Sequence, residues 1–249
     1  MLNLSKRYRK DYAGEDIITE RILENREWVA TTEYVPNNVI NNQISNRAVV
    51  FGNGIGRNEF DIPHILRHRS GLLGADALQS YACNAFYRDY APDFLVVTDR
   101  LIAKEITIMP SRFWEDNIVY TRATVNLEFP KKFYLIPNDI YTDAGTTAIY
   151  IAAFDGHKRI YLCGFDGQDS PSRNNNIYAG TNCYDPTHPL EPISDDKWIQ
   201  DRTTLFNTYD DVDFVIVTKW GRNTLPEAFK YCPNVRQLSI NDWVVEADL

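Results

Sequence analysis

The chain has 249 residues, 44% of them hydrophobic, and carries 34 acidic against 26 basic side chains for a formal charge of −8. That length and apolar content bury a full core in one large domain, and an acidic balance without any Lys/Arg run excludes a general nucleic-acid binder. Four scattered cysteines, Cys83, Cys163, Cys183 and Cys232, form no CxxC pair, which argues against a zinc site or a disulfide framework.

The opening "MLNLSKRYRKDYAGED" is charged and lacks an apolar core, and nowhere do about 18 apolar residues run together. A cytoplasmic protein with reduced thiols and no transmembrane segment is expected. In "GEDIITERILENREWVA", residues 14–30, Ile17, Ile18, Ile22, Leu23 and Trp28 fall near helical spacing, which predicts an amphipathic helix. The Asn- and Pro-rich residues 36–46 read as a linker, so residues 1–46 are expected to form a helical extension to a domain spanning 47–249.

From residue 47 the text changes to short apolar runs that end in turn residues: "RAVVFGNG", "LQSYACN", "DFLVVTD", "FYLIPND", "RIYLCGFDG" and "DFVIVTKW". Runs of this kind separated by helix-length stretches predict an α/β, Rossmann-like fold with a mainly parallel sheet flanked by helices. A helix is predicted over 145–156, ending at a capping glycine, and another over 195–209. Between the last two strand runs, residues 167–194 are rich in Asn, Pro, Ser and Gly, and a long polar lid loop is expected there.

Ligands of open parallel sheets bind beyond the carboxyl ends of the strands, so the residues just after each run are the site candidates. Gly52 and Gly54 lack side chains and could offer backbone N–H groups to a phosphate, with Asn53 tolerating the unusual backbone angles. The pattern "GNGIG" is neither the dinucleotide fingerprint nor a P-loop, and it is also compatible with a tight turn that holds no ligand. Gly145, Thr146 and Thr147 open a helix whose free amides and two hydroxyls could meet an anion, or could serve only the helix. Asn84, Asp99, Asp166 and Lys219 follow other strands. His64 and His68 lie four apart but have no third ligand for a metal, and His157, in the turn "DGHKR", is expected at the solvent.

The order "FGNG", "YACNAFY", "VVTDR", a Gly-Thr-Thr helix start and "RIYLCGFD" resembles the bacterial sialyltransferases that use CMP-sialic acid. It also resembles 6-hydroxymethylpterin pyrophosphokinase-like proteins of a related superfamily. The first resemblance implies a nucleotide-sugar donor, with Asn53 and Gly54 by its phosphate and sugar, Asn84 by the nucleotide, and Gly145 with Thr146 or Thr147 by the ribose or base. It further implies a lid histidine as base and two tyrosines on the departing phosphate, for which His188, Tyr178 and Tyr184 are the candidates, with no cofactor required. A glycan or small-molecule acceptor would complete the reaction, and homo-oligomerisation is left open. Members carry Pro-Ser after the glycine turn where this chain has Ile55-Gly56, and this chain ends in the acidic "INDWVVEADL".

The second resemblance implies Mg2+-dependent pyrophosphoryl transfer, with Asp99 and Asp166 as the metal-holding carboxylates. A third reading is a nucleotide-binding or interaction module without chemistry.

Overall fold

The computed structural model describes residues 2, 4–12, 17–34, 36, 44–68, 77–165, 176–184, 195–219 and 225–249. Its centre is an eight-stranded sheet built by the predicted apolar runs and two more. The strands are β3 (Arg47–Phe51), β4 (Leu78–Cys83), β5 (Phe94–Val97), β6 (Ile118–Thr121), β7 (Tyr134–Leu135), β8 (Arg159–Cys163), β9 (Asp213–Thr218) and β10 (Val235–Ser239). Their order is β10-β9-β8-β3-β4-β5-β6-β7, and every neighbouring pair is parallel. The runs are apolar at consecutive positions because both faces are covered.

Alternate residues feed two cores. Val50, Tyr81, Val96, Leu162 and Ile216 point to one side, where α5 (Ala144–Asp155) and α6 (Asp195–Thr208) lie; Val49, Ala82, Val97, Cys163 and Val217 point to the other. That second face is covered by α1 (Ile62–Arg67), α2 (Arg100–Ile106), α4 (Ala123–Glu128) and α7 (Ile240–Glu246), while α3 (Ser111–Asp116) flanks the sheet before β6. All twelve residues of α5 are buried, which explains why its sequence is apolar all round. Gly156, at φ 103°, ends it in the left-handed conformation.

The N-terminal region departs from the predicted helix. Ile18–Glu24 (β1) and Glu27–Tyr34 (β2) form an antiparallel hairpin outside the main sheet. Asn25 and Arg26, at φ 49° and 69°, make the turn, and positive φ at both central residues is what lets two twisted strands meet across two residues. Pairing sets Ile22 opposite Val29 and Leu23 opposite Trp28, so the apolar spacing serves cross-strand contacts and not a helix stripe.

Residues 4–12 cross the α5–α6 side, with Leu4, Tyr8 and Tyr12 packed on the core. There Arg9 is paired with Asp155 at the end of α5 and donates to the Tyr120 hydroxyl at 2.9 Å. The expected solvent position of His157 is wrong. It is fully buried, its Nδ1 lies 2.7 Å from the Ser45 carbonyl, and its Nε2 lies 2.9 Å from the Tyr81 hydroxyl oxygen, which is also 2.7 Å from Asp155. A carbonyl only accepts, so Nδ1 carries a proton, and burial, which pulls the pKa down to about 4, favours the neutral ring.

Candidate functional site

The chain runs outward from β3 through β4, β5, β6 and β7 and then returns to place β8 on the other side of β3. The direction therefore switches between β3 and β8, where an open parallel sheet leaves a crevice at its carboxyl edge. A cleft of about 160 Å3 occupies that place. It is lined by the turn after β3 (Gly52, Asn53, Gly54), by Cys83 and Asn84, by Asp143, Ala144 and Gly145 at the start of α5, by Gly164 and Phe165 after β8, and by Asn176, Trp198 and Arg202. The volume is below the usual range for a whole drug-sized ligand, so the cleft would grip one part of a larger molecule. A wider hollow of about 730 Å3 flanks α6 around Ile199, Gln200 and Thr203, away from the strand ends.

The glycine turn meets protein, not open space. The Gly52 amide donates to the Cys163 carbonyl at 2.8 Å and the Gly54 amide to the Gly164 carbonyl at 3.0 Å. A Cβ on Gly52 would stand 2.4 Å from the Gly164 oxygen. These glycines let the exits of β3 and β8 zip together, and their two amides are not available to a phosphate as expected from the sequence. Asn53 is equally fixed: its Oδ1 accepts from Arg57 at 2.8 Å and its Nδ2 donates to the Cys83 carbonyl at 3.1 Å.

Thr146 and Thr147 are fully buried and do not line the cleft. The cap of α5 is Asp143, whose Oδ1 accepts the Thr146 amide at 2.9 Å. The Thr147 hydroxyl donates to the Asp143 carbonyl at 2.8 Å, and the Thr146 hydroxyl accepts from Arg202 Nε at 3.2 Å. Neither hydroxyl is turned to a ligand as the sequence suggested. Gly145 does line the cleft, close against Phe165.

Two polar atoms of cleft residues are buried without a hydrogen bond, Asn84 Oδ1 and Trp198 Nε1. Asn84 holds φ at 45°, a left-handed position that asparagine tolerates better than most residues. A buried acceptor and a buried donor without partners are each costly to the fold. The Cys83 thiol is pushed up to about 12 by burial, so it is no nucleophile near neutral pH.

Tyr178 and Tyr184 stack at 6.2 Å beside the cleft without lining it. The Tyr178 hydroxyl donates to Asp89 at 2.6 Å and accepts from Arg57 at 2.8 Å. Arg57 is itself buried, under the rings of Phe86 and Tyr178, and bonds Asp89 at 3.0 Å. The Tyr184 hydroxyl is buried with no well-formed bond; the Asn176 side chain and the Ala85 amide are its polar neighbours, and burial holds its pKa well above the usual value.

Asp99 lies outside the cleft and caps α2, accepting from the Leu101 and Ile102 amides at 2.7 and 3.3 Å. Lys219 pairs with Glu59 at 3.4 Å. Asp166, His188 and most of the expected lid lie outside the described residues. Among the described residues no group of three His, Cys, Asp or Glu side chains is placed to hold a metal ion, and no helix is long and apolar enough to cross a membrane.

Asp143, Phe165, Asn176, Trp198 and Arg202 were not selected from the sequence. Asp143 had a local signal, an Asp three residues before Thr146 at a helix start. Trp198 and Arg202 had only their spacing of four along one helix.

No protein-family model and no curated protein matches this chain. Its fold is similar to that of the monofunctional α-2,3-sialyltransferase Cst-I from Campylobacter jejuni, with a TM-score of 0.51 over 72% of this chain and 78% of that one at 15% identity. The sialyltransferase CstII from Campylobacter jejuni, in complex with cytidine-5′-monophosphate, aligns over 70% of this chain and 80% of that one at 15% identity and a TM-score of 0.46. An α-2,3-sialyltransferase from Campylobacter jejuni in apo form aligns over 73% and 79% at 15% identity and a TM-score of 0.45. Identities this low establish a likeness of fold.

Proposed function

We propose that this chain is a sialyltransferase-like glycosyltransferase that takes a nucleotide-sugar donor, with CMP as the first nucleotide to test. The observation that carries the reading is the cleft at the switch point of the sheet, two of whose lining residues, Asn84 and Trp198, each hold a buried polar atom without a hydrogen bond. Its support is the fold shared with an α-2,3-sialyltransferase and the order of strand-end residues that resembles that family.

The reaction is a direct displacement. An acceptor hydroxyl forms a bond to the anomeric carbon, the bond from that carbon to the donor's phosphate oxygen breaks, the hydroxyl proton passes to a base, and the nucleotide leaves with the electron pair. His188 is the proposed base, because imidazole titrates close to neutral pH. Asn84 and Trp198 would orient the donor, and Tyr184, adjoining Asn176, is proposed to approach the departing phosphate. Tyr178 would act at one remove, since Arg57 and Asp89 already engage its hydroxyl.

The test is turnover of a CMP-sugar with a glycan acceptor, with EDTA present. His188→Ala is expected to lower kcat by about 100-fold or more while donor affinity holds. An unchanged rate would remove His188 from the role of base, and sugar transfer restored only by Mg2+ would mean that a metal, not protein side chains alone, assists the departing phosphate.

A further inference from the structure

Arg57 is buried and does not line the cleft, yet it bonds to what does. It follows the glycine turn in a short 3-10 helix, Ile55–Glu59, where its amide donates to the Gly54 carbonyl at 3.0 Å. Gly164 leaves room for it, since a methyl group there would stand 2.9 Å from the Arg57 Cβ. The guanidinium carbon lies 4.8 Å from the centre of the Phe86 ring and 5.1 Å from that of Tyr178, so two rings pack against the fork. Nη1 donates to Asn53 Oδ1 at 2.8 Å, and Nη2 donates to the Tyr178 hydroxyl at 2.8 Å and to Asp89 Oδ2 at 3.0 Å.

Those partners come from three stretches of chain. Asn53 lies in the turn after β3 and lines the cleft; Asp89 follows the short helix Asn84–Arg88 that leaves β4; Tyr178 belongs to residues 176–184, whose Asn176 also lines the cleft. The Ile177 amide donates to the Asn53 carbonyl at 2.9 Å, the Tyr178 amide donates to Asn176 Oδ1 at 2.9 Å, and the Tyr184 ring stacks on that of Tyr178. The Tyr178 hydroxyl completes the set by donating to Asp89 at 2.6 Å. Taking a guanidinium out of water is costly, and Asp89, its ion-pair partner, is partly exposed, so stability alone gives little reason for a cation at this place. A planar fork supplies direction instead: it fixes an amide, a carboxylate and a phenol relative to one another.

Resting on the reading of this cleft as the donor site, we propose that Arg57 is a positioning residue: without touching the ligand it locks the Asn53 amide and residues 176–184 to the turn after β3, and so sets the wall that carries Asn176 and the tyrosine pair. It acts on transfer through Tyr178, whose ring backs that of Tyr184. Groups held in this way before a ligand arrives need no ordering when it binds.

Hydrogen exchange read by mass spectrometry, together with turnover of a CMP-sugar with a glycan acceptor, tests this on the wild type, Arg57→Lys, Arg57→Met, Tyr178→Phe and the double variant Arg57→Met with Tyr178→Phe. Arg57→Met is expected to speed exchange of the amides of 177–184 by about 10-fold or more, as the loss of hydrogen bonds from a charged group predicts, while β4 and β8 stay protected. Its kcat should fall about 10- to 100-fold, the scale on which a small misplacement of reacting groups is felt, with a smaller change in the donor KM. Arg57→Lys keeps the charge and should still lose most of this, since one ammonium does not span Asn53 and the Asp89–Tyr178 pair as a fork does. Tyr178→Phe keeps the ring, remains testable should the Arg57 variants fail to fold, and is expected to show the same pattern at smaller size. The double variant should be no slower than Arg57→Met alone, because the two residues act as one unit. Variants that melt earlier yet keep the wild-type kcat, slower transfer without faster exchange of 177–184, or losses that multiply in the double variant each overturn the proposal and leave Arg57 a packing residue. If the wild type transfers no sugar, the donor reading falls by itself and exchange decides the lock: loosening of 177–184 in Arg57→Met or Tyr178→Phe with protected strands retains it, and unchanged exchange overturns it.

Discussion

Gly52 and Gly145 both line the cleft, yet a methyl group on each meets a different kind of neighbour. At Gly52 the obstacle is the backbone oxygen of Gly164, 2.4 Å from the added carbon. Gly164 holds φ at +76° with Arg57 against it, so that strand exit cannot retreat cheaply. Gly52→Ala is therefore expected to cost about 2 kcal/mol, within the usual range for overpacking, and to pry apart the exits of β3 and β8. At Gly145 the nearest atoms are the ends of side chains, Asp143 Oδ1 at 3.0 Å and Phe165 Cε1 at 3.1 Å. There the helix gains about 1 kcal/mol from alanine's propensity against the crowding, so Gly145→Ala should stay within about 1 kcal/mol of the wild type. Urea unfolding of the two variants checks the contrast, and equal losses would mean that the close approach at Gly52 is not what demands glycine.

The glycine turn was visible in the sequence as a place of close approach, but what approaches was not. A chain pattern records that Cβ is forbidden; it does not say whether a ligand or another strand takes the space. Asn84 was legible for the better reason that it directly follows an apolar strand, and the fold turned it left-handed. Arg202 and Trp198 were not legible, because nothing local marks a helix face that becomes a cleft wall only when α6 lies beside α5.

At the scale of elements, the same distinction explains the N-terminal hairpin and His157. Apolar residues at mixed spacings fit a helix stripe or a strand pair, and Asn25-Arg26 decides between them through two positive φ angles. His157 follows the glycine cap of α5 and looks like a surface turn residue, but β4 sends Tyr81 beneath it. Burial favours the neutral ring and holds its pKa near 4. Between that value and the ordinary one of about 6.5 the unfolded chain binds a proton that the folded chain refuses, so stability rises with pH across this window and falls on acidification. The sign is that of a depressed histidine: its contribution is complete above about pH 6.5 and fades toward pH 4, with a ceiling of about 3 kcal/mol. His157→Asn keeps an amide N–H for the Ser45 carbonyl and cannot titrate. Urea unfolding from pH 7 to 4.5 should give a shallower decline for the variant than for the wild type, and parallel declines would refute the assignment to His157.

At the scale of the whole molecule, a parallel sheet with helices on both faces concentrates ligand chemistry at one edge, and that much followed from six apolar runs. β6 and β10 escaped the reading because "IVYT" and "VRQLS" are short and partly polar; β10, at the sheet edge, is half-buried throughout. Because α6 contributes Trp198 and Arg202 while β3, β4 and β8 contribute the opposite walls, a ligand seated there joins segments from residue 52 to residue 202 and must stabilise the fold as a unit. A nucleotide that binds only the folded state at 100 times its dissociation constant adds about 2.7 kcal/mol, which for a domain of this size raises Tm by roughly 5–10 °C. A thermal-shift series with CMP, CDP, UDP, GDP, ADP and ATP, each with Mg2+ and with EDTA, is expected to show the largest rise for CMP and the same rise in EDTA. Stabilisation by ATP with Mg2+ alone would instead bring back the carboxylate reading of Asp166, since Asp99 is engaged with the amides of α2. No response to any nucleotide would leave the cleft to a ligand of another class and would withdraw the donor assignment.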